Sequence, residues 1–370
     1  MKIPDSQNRR AGAQVRRAGA QVPAGPWMAE SGRRAGAQVP PTPGTAQSSR
    51  RKALSWALLA AIAVLPPGAF AADPGPPQSA TIVAEKSAQT LSQAWRIDND
   101  AMIEVHNVRG NVDISAGEPG RASLEGSLGS GSKLVVAGDT KHLELRVEAA
   151  DQEHGWFGTH GPRSDSELTL KVPAGASVKL ELVSADGKVT GIDGKSLNVE
   201  VVSGKLTLSS GAPQVDVESV SGDVSLAATR ADANSRTHVQ TVSGDIEMTG
   251  ASGRVKLETV SGGAHMTGGD VQEFEAGTVS GNINMSAARF GKHGRVNVDT
   301  MSGDVRTELP ADISARIEAE SFSGHIRSDF GKVEKPEYGP GSNLDARVGD
   351  GDAQVSVKSF SGNVDILRKQ

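Results

Sequence analysis

The sequence predicts an all-β fold, an elongated β-solenoid made of stacked turns of about 20 residues each. The first observation behind this is a corner, an apolar residue followed by Ser-Gly, that returns at Gly204, Gly222, Gly244, Gly262, Gly281, Gly303, Gly324 and Gly362. The steps between successive glycines are 18, 22, 18, 19, 22, 21 and 38 residues, so the turn signal keeps a nearly constant interval until its last copy. The second is alternation with period two on both sides of the corner. Val215, Val217 and Ser219 share one parity and Asp216 and Glu218 the other; then Val224 and Leu226 alternate with Asp223 and Ser225. Such alternation marks strands with one buried and one wet face. The third is composition: 44 Gly among 370 residues and only 3% aromatics suit a narrow interior of short aliphatic side chains and argue against an aromatic-lined pocket.

One unit is thus strand, tight corner, strand, looser return. Gly supplies a positive φ or a close backbone approach that a Cβ would block. Ser and the neighbouring Asp or Asn are expected to bond their own backbone and hold the bend. A single unit cannot bury its apolar row, whereas stacked units, with strands about 4.8 Å apart, can.

Taken in order, residues 1–49 carry no apolar period. Arg9–Val15 recurs at 16–22 and 33–39, and the segment reads as a disordered, repetitive leader, the product of a start site set too far upstream. Residues 50–71 have the layout of a secretory signal peptide: the charged Arg50-Arg51-Lys52, the apolar run 53–65, and Ala69-Phe70-Ala71 as cleavage site. No Cys follows, which excludes a lipoprotein anchor, and no later segment is apolar enough for a permanent transmembrane helix. Residues 72–98 read as a polar leader in which 87–95 forms a short helix or lies against the first turn. Residues 99–370 read as the solenoid, irregular at first, with strands around 134–136, 143–147 and 168–172, and regular over about 180–330. Residues 183–189 are a stretched corner, and 331–351, rich in Gly, Pro, Asp and Lys, a loop let out of the stack. The last strand, 364–367, is expected to end the sheet, blunted by Arg368-Lys369-Gln370.

The signal peptide, the strand 168–173 and the run of Val-Ser-Gly-Asp-Val corners together resemble the bacterial putative-adhesin family of β-strand-repeat proteins, a domain of unknown function. The likeness spans about residues 100–370 and is strongest over 180–330. It implies a solenoid-like all-β domain, exported or at the cell envelope, and brings no catalytic residues with it. The Ala185-Asp186 corner and the 331–351 insertion depart from the family pattern.

Charge and composition narrow the function classes. Residues 1–71 hold 10 Lys/Arg and 2 Asp/Glu, leaving 29 and 42 for the rest, so a cleaved chain is clearly acidic. Nucleic acid is then a poor partner. With no Cys there is no disulfide, thiolate nucleophile or Cys-bound metal. The column after the corner glycines (Lys205, Asp223, Asp245, Gly263, Asn282, Asp304, His325, Asn363) contains carboxylates that suggest a calcium ladder, but its Lys, Gly and His fit turn capping better. Eight equivalent corner serines are a scaffold, because a catalytic Ser needs one base and one oxyanion hole at one place. His238, His265, His293 and His325 lack metal-ligand spacing. We therefore expect no catalytic residue, no metal and no cofactor. The single partner-contact candidate is Trp156-Phe157, two aromatics on a polar loop between His154 and His160. Phe322 and Phe360 fill a column held by Val elsewhere and read as wider core layers. The expected function is non-catalytic: an exported periplasmic or surface protein, an adhesin or scaffold displaying a long face to an envelope protein or glycan. The alternatives are a polysaccharide-active β-helix enzyme and a calcium-dependent binding module.

Overall fold

The computed structural model describes residues 74–84, 87–150, 164–335 and 340–369, all within one unit of the chain, residues 67–370. The leader 1–49, the signal peptide 50–71 and the Trp156-Phe157 loop lie outside the described residues. The fold is an all-β solenoid. Its strands form one continuous hydrogen-bonded sheet wound into two faces, because Met102–Gly117 and Ser177–Ile192 each run through both.

The first face runs, neighbour by neighbour, Ala80–Ala84, Ser132–Gly138, His142–Ala149, the starts of Met102–Gly117 and Ser177–Ile192, then Ser196–Ser203, Gln214–Ser221, Arg236–Ser243, Gly253–Ser261, Asp270–Ser280, the end of Arg289–Ser302, Ala353–Ser361, Ala315–Ser321 and Ser342–Val348. The second runs Gln89–Arg96, Arg121–Leu128, Ser166–Pro173, the ends of Met102–Gly117 and Ser177–Ile192, then Leu206–Ser210, Val224–Ala228, Ile246–Thr249, Ala264–Thr267, Ile283–Ser286, Val305–Leu309, Val364–Arg368 and Ile326–Ser328. Pairing is parallel throughout the stack and antiparallel only at its ends.

The inward parity builds the core. In one layer Val215 and Val217 face Val224 and Leu226, all buried. The register repeats them: Val217 sits between Val199 and Val239, and Leu226 between Leu208 and Met248. Each fully buried Val or Leu stabilises by roughly 1.5–3 kcal/mol, but only while a layer above and below keeps water out.

Between these columns and the corner runs a file of buried hydroxyls: Ser219, Thr241, Thr259, Thr278, Thr300, Ser359 and Ser321. Ser219 Oγ donates to the Gly222 carbonyl at 3.3 Å and Ser321 Oγ to that of Gly362 at 2.9 Å. The hydroxyls of Thr241, Thr259, Thr278 and Thr300 have no hydrogen-bond partner among the described residues. An unpaired buried hydroxyl costs about 1–3 kcal/mol. Thr259→Val, which keeps the shape and removes the hydroxyl, is therefore expected to raise stability by about 1 kcal/mol. A higher urea midpoint at constant slope is the readout, and a lower one would show the hydroxyl to be satisfied.

Several expectations are corrected. Of the two alternatives for 87–95 the helix is overturned: residues 89–96 form a strand that pairs antiparallel with Arg121–Leu128 and buries Leu91 and Trp95. The strands at 132–138 and 142–149 form an antiparallel hairpin instead of an opening solenoid turn, since Asp139 Oδ1 accepts from the amides of Lys141 and His142 and folds a tight turn. The 331–351 segment is not all loop. Ser342–Val348, whose Leu344 and Ala346 are buried, pairs antiparallel with Ala315–Ser321 and covers that end of the stack.

The chain's last strand does not end the sheet either. Ala353–Ser361 lies between Arg289–Ser302 and Ala315–Ser321, and Val364–Arg368 between Val305–Leu309 and Ile326–Ser328. The final turn in sequence is thus the next-to-last layer in space. Its Lys358 is level with Asp299 on one side and Glu320 on the other, so it separates two carboxylates that would face each other if the layers followed chain order.

Candidate functional site

The corner glycines form one file along the stack, in the spatial order Gly204, Gly222, Gly244, Gly262, Gly281, Gly303, Gly362, Gly324. A Cβ on any of them would fall within 1.8–2.3 Å of the carbonyl oxygen of the preceding corner, which for Gly204 is Ala185. Five of them, Gly204, Gly222, Gly244, Gly262 and Gly303, have φ between +145° and +151°.

From the sequence the Asp or Asn after the glycine is expected to bond its own turn; the structure corrects this. That residue caps the next layer. Asp223 Oδ1 accepts from the Asp245 amide at 3.1 Å, Asp245 Oδ1 from Gly263 at 2.7 Å, Asn282 Oδ1 from Asp304 at 2.9 Å, and Asp304 Oδ1 from Asn363 at 2.8 Å. These oxygens are engaged in tying layers together.

The feature that sequence reasoning misplaced lies one residue before the corner serines. Strand parity turns Asp216, Glu218 and Val220 outward together. Flanking pairs such as Ser219↔Val201 and Ser221↔Ser203 bring Val220 level with Val202. Val183, Val202, Val220, Val242, Val260, Val279, Met301, Phe360 and Phe322 consequently form a single outward row, each 45–60% exposed. Phe322 and Phe360 are not core layers. They lie at the far end of this row with rings stacked at 4.9 Å and 8°. The bulky core side chain is Phe274, in the inward column between Val255 and Val296. Shallow grooves follow the row at both ends, one along Val183, Val202, Val220 and Val242, the other along Met301, Phe360 and Phe322 beside Pro340.

Two residues ahead of the row runs a mostly acidic file: Glu181, Glu200, Glu218, Gln240, Glu258, Gly277, Asp299, Lys358 and Glu320. The hydrogen bond from Lys179 holds the Glu181 carboxyl below its usual range, with His106 Nδ1 2.6 Å from its other oxygen. Lys256 acts in the same way on Glu258, helped by His238 at 3.3 Å. Glu218 and Glu320 have no ion-pair partner among the described residues, and Glu200 shares the Lys179 charge with Glu181 at longer range.

Elsewhere, Glu104, His106 and Glu144 gather one ligand atom each within 4.8 Å across two neighbouring strands. Each already has a partner: His106 Nδ1 meets Glu181, Glu104 meets His142 at 3.3 Å, and Glu144 meets Arg146. Of the other histidines, His238 lies between Asp216 and Glu258 and His265 meets Thr267.

The Toastrack DUF4097 family model matches residues 100–367. The chain belongs to the Toastrack DUF4097 family. No curated protein matches it. Among solved structures this Toastrack chain is similar to a putative cell adhesion protein from Clostridium sporogenes, at 16% identity and a TM-score of 0.25 over 76% of this chain and 100% of that one. It is also similar to a putative adhesin from Bacteroides fragilis, at 14% identity and a TM-score of 0.38 over 61% and 99%. No helix among the described residues of the Toastrack chain is long and apolar enough to cross a membrane.

Proposed function

We propose that this Toastrack protein is a non-catalytic, exported protein of the periplasm or cell surface, an adhesin or scaffold whose first sheet face docks a partner. The carrying observation is the row from Val183 to Phe322. Soluble proteins seldom keep a continuous file of large apolar side chains half in water unless something covers it. Export is supported by the charged, apolar and small-residue order of residues 50–71.

A photo-crosslinking amino acid at Val220 in the native cell tests the docking face, with the same group at Ser225, on the outer side of the second face, as comparison. A discrete envelope adduct from Val220 and none from Ser225 is expected. Equal, diffuse labelling at both positions would refute the docking face. N-terminal sequencing of the envelope form tests export, with Ala72 as the expected first residue.

A further inference from the structure

Resting on that reading of the face, we propose that the row between Val183 and Val260 receives a cationic amphipathic helix of a partner protein, lying along the stack. Its apolar stripe would cover the valines and its Lys or Arg flank would lie over Glu181, Glu200 and Glu218.

Three properties of the face select this occupant. The first is spacing. Five valines in successive layers span four intervals of about 4.8 Å, roughly 19 Å. An α-helix presents one apolar stripe residue per turn of about 5.4 Å, so four turns, roughly 14 residues, keep step with five layers to within a few ångströms. An extended peptide repeats one face about every 6.8 Å and falls out of step after two layers. Nor has it backbone to pair with, since every strand under the row is already bonded on both sides.

The second is charge. Glu181, Glu200 and Glu218 succeed one another beside the first three valines, with Lys179 next to the first two and no ion-pair partner for Glu218 among the described residues, so the file keeps a net negative charge. They complement a cationic flank on one side of an apolar stripe. On the other side of the row the next two residues of each turn, a serine followed by Ala185 or a corner glycine, are uncharged, and the Asp186, Asp223 and Asp245 carboxylates beyond them are engaged with the amides of the next layer. The face is therefore one-sided in charge and orients a helix about its own axis.

The third is partial self-exclusion. A second copy laid antiparallel on the same face would bring its own glutamate file over this one, and like charges side by side oppose association.

The test uses the full chain and a synthetic 14-residue helix-forming peptide with Leu at every third or fourth position and Lys along one flank. A second peptide carries Glu in place of the Lys. The Lys peptide is expected to bind saturably, at least about tenfold tighter than the Glu peptide at low salt, with the difference shrinking as salt rises. The double variant Glu200→Lys/Glu218→Lys, changed only at exposed positions, is expected to reverse the preference, and binding of the Glu peptide to it shows that the variant is folded. Equal binding of the two peptides, or none, would overturn the helix. The docking reading is tested separately by the Val220 adduct. Sedimentation showing a dimer that Val220→Ser dissociates would make a second copy the occupant, and would equally overturn the proposal.

Discussion

A chain truncated after Asp350 is expected to lose two layers of the stack, although it lacks the residues of only one. Ala353–Ser361 and Val364–Arg368 lie inside the stack, and the layer 315–328 pairs with them on both faces. Removing them deletes the burial of Val355, Val357, Val364 and Ile366, roughly 6–12 kcal/mol of apolar contact before ordering entropy is set against it. It also leaves Ala315–Ser321 and its antiparallel cover Ser342–Val348 without a neighbour. In a stack that depends on nearest-neighbour interfaces, a layer with no neighbour does not stay folded. Re-docking of Ala315–Ser321 directly on Arg289–Ser302 is opposed by Glu320, which would come level with Asp299 once Lys358 is gone. Hydrogen exchange is the measurement. Amides of 315–321 and 342–348 should exchange as in an unfolded chain while those of 196–286 keep their protection. Full protection of 315–321 in the truncated chain would show that the inverted layer order is dispensable.

The layered architecture was legible in the sequence because it depends on local quantities, the spacing of a turn signal and strand parity. What escaped depends on which strands meet, and spacing does not encode that. Nothing in the 38-residue step from Gly324 to Gly362 tells an outlying loop from a returning turn that slips in beneath its predecessor. The charge of Lys358 holds that information, but only once its neighbours are known. Ser342–Val348 was hidden by its Gly- and Pro-rich flanks, although Leu344 and Ala346 alternate inward within it.

The exposed row is a different kind of miss. Parity alone places Val220 with Asp216 and Glu218, but apolar type points to the core, which is how Phe322 and Phe360 in the same column read. Parity and residue type disagree at the same place in every turn, and that disagreement marks the row on which the proposed docking face rests. The expected contact at Trp156-Phe157 rested on residue type as well, and those residues lie outside the described part of the chain.

Gly244→Val is expected to destabilise the fold by about 3 kcal/mol or more. Two costs add. At φ +145° an L side chain is strained, and left-handed backbone costs roughly 1–2 kcal/mol per residue. The new Cβ would also sit 2.3 Å from the Gly222 carbonyl oxygen and 2.7 Å from its carbon. These are backbone atoms of a hydrogen-bonded layer, so they yield only if the Ser221–Asp223 corner moves, and that corner is held by the Gly222 amide on Ser243 O at 3.0 Å and the Asp223 carboxylate on the Asp245 amide. Relief at one corner is passed to the next, since a Cβ on Gly262 would itself lie 2.1 Å from Gly244 O. Gly277→Ala is the matched comparison within the same stack. Gly277 points outward in the acidic file, nothing lies within 4 Å of a Cβ built on it, and replacing a mid-strand glycine there should stabilise by roughly 0.5–1 kcal/mol. Urea midpoints moving in opposite directions for the two variants are the expected result. An unchanged midpoint for Gly244→Val would mean that successive corners do not approach as closely as the glycine file requires.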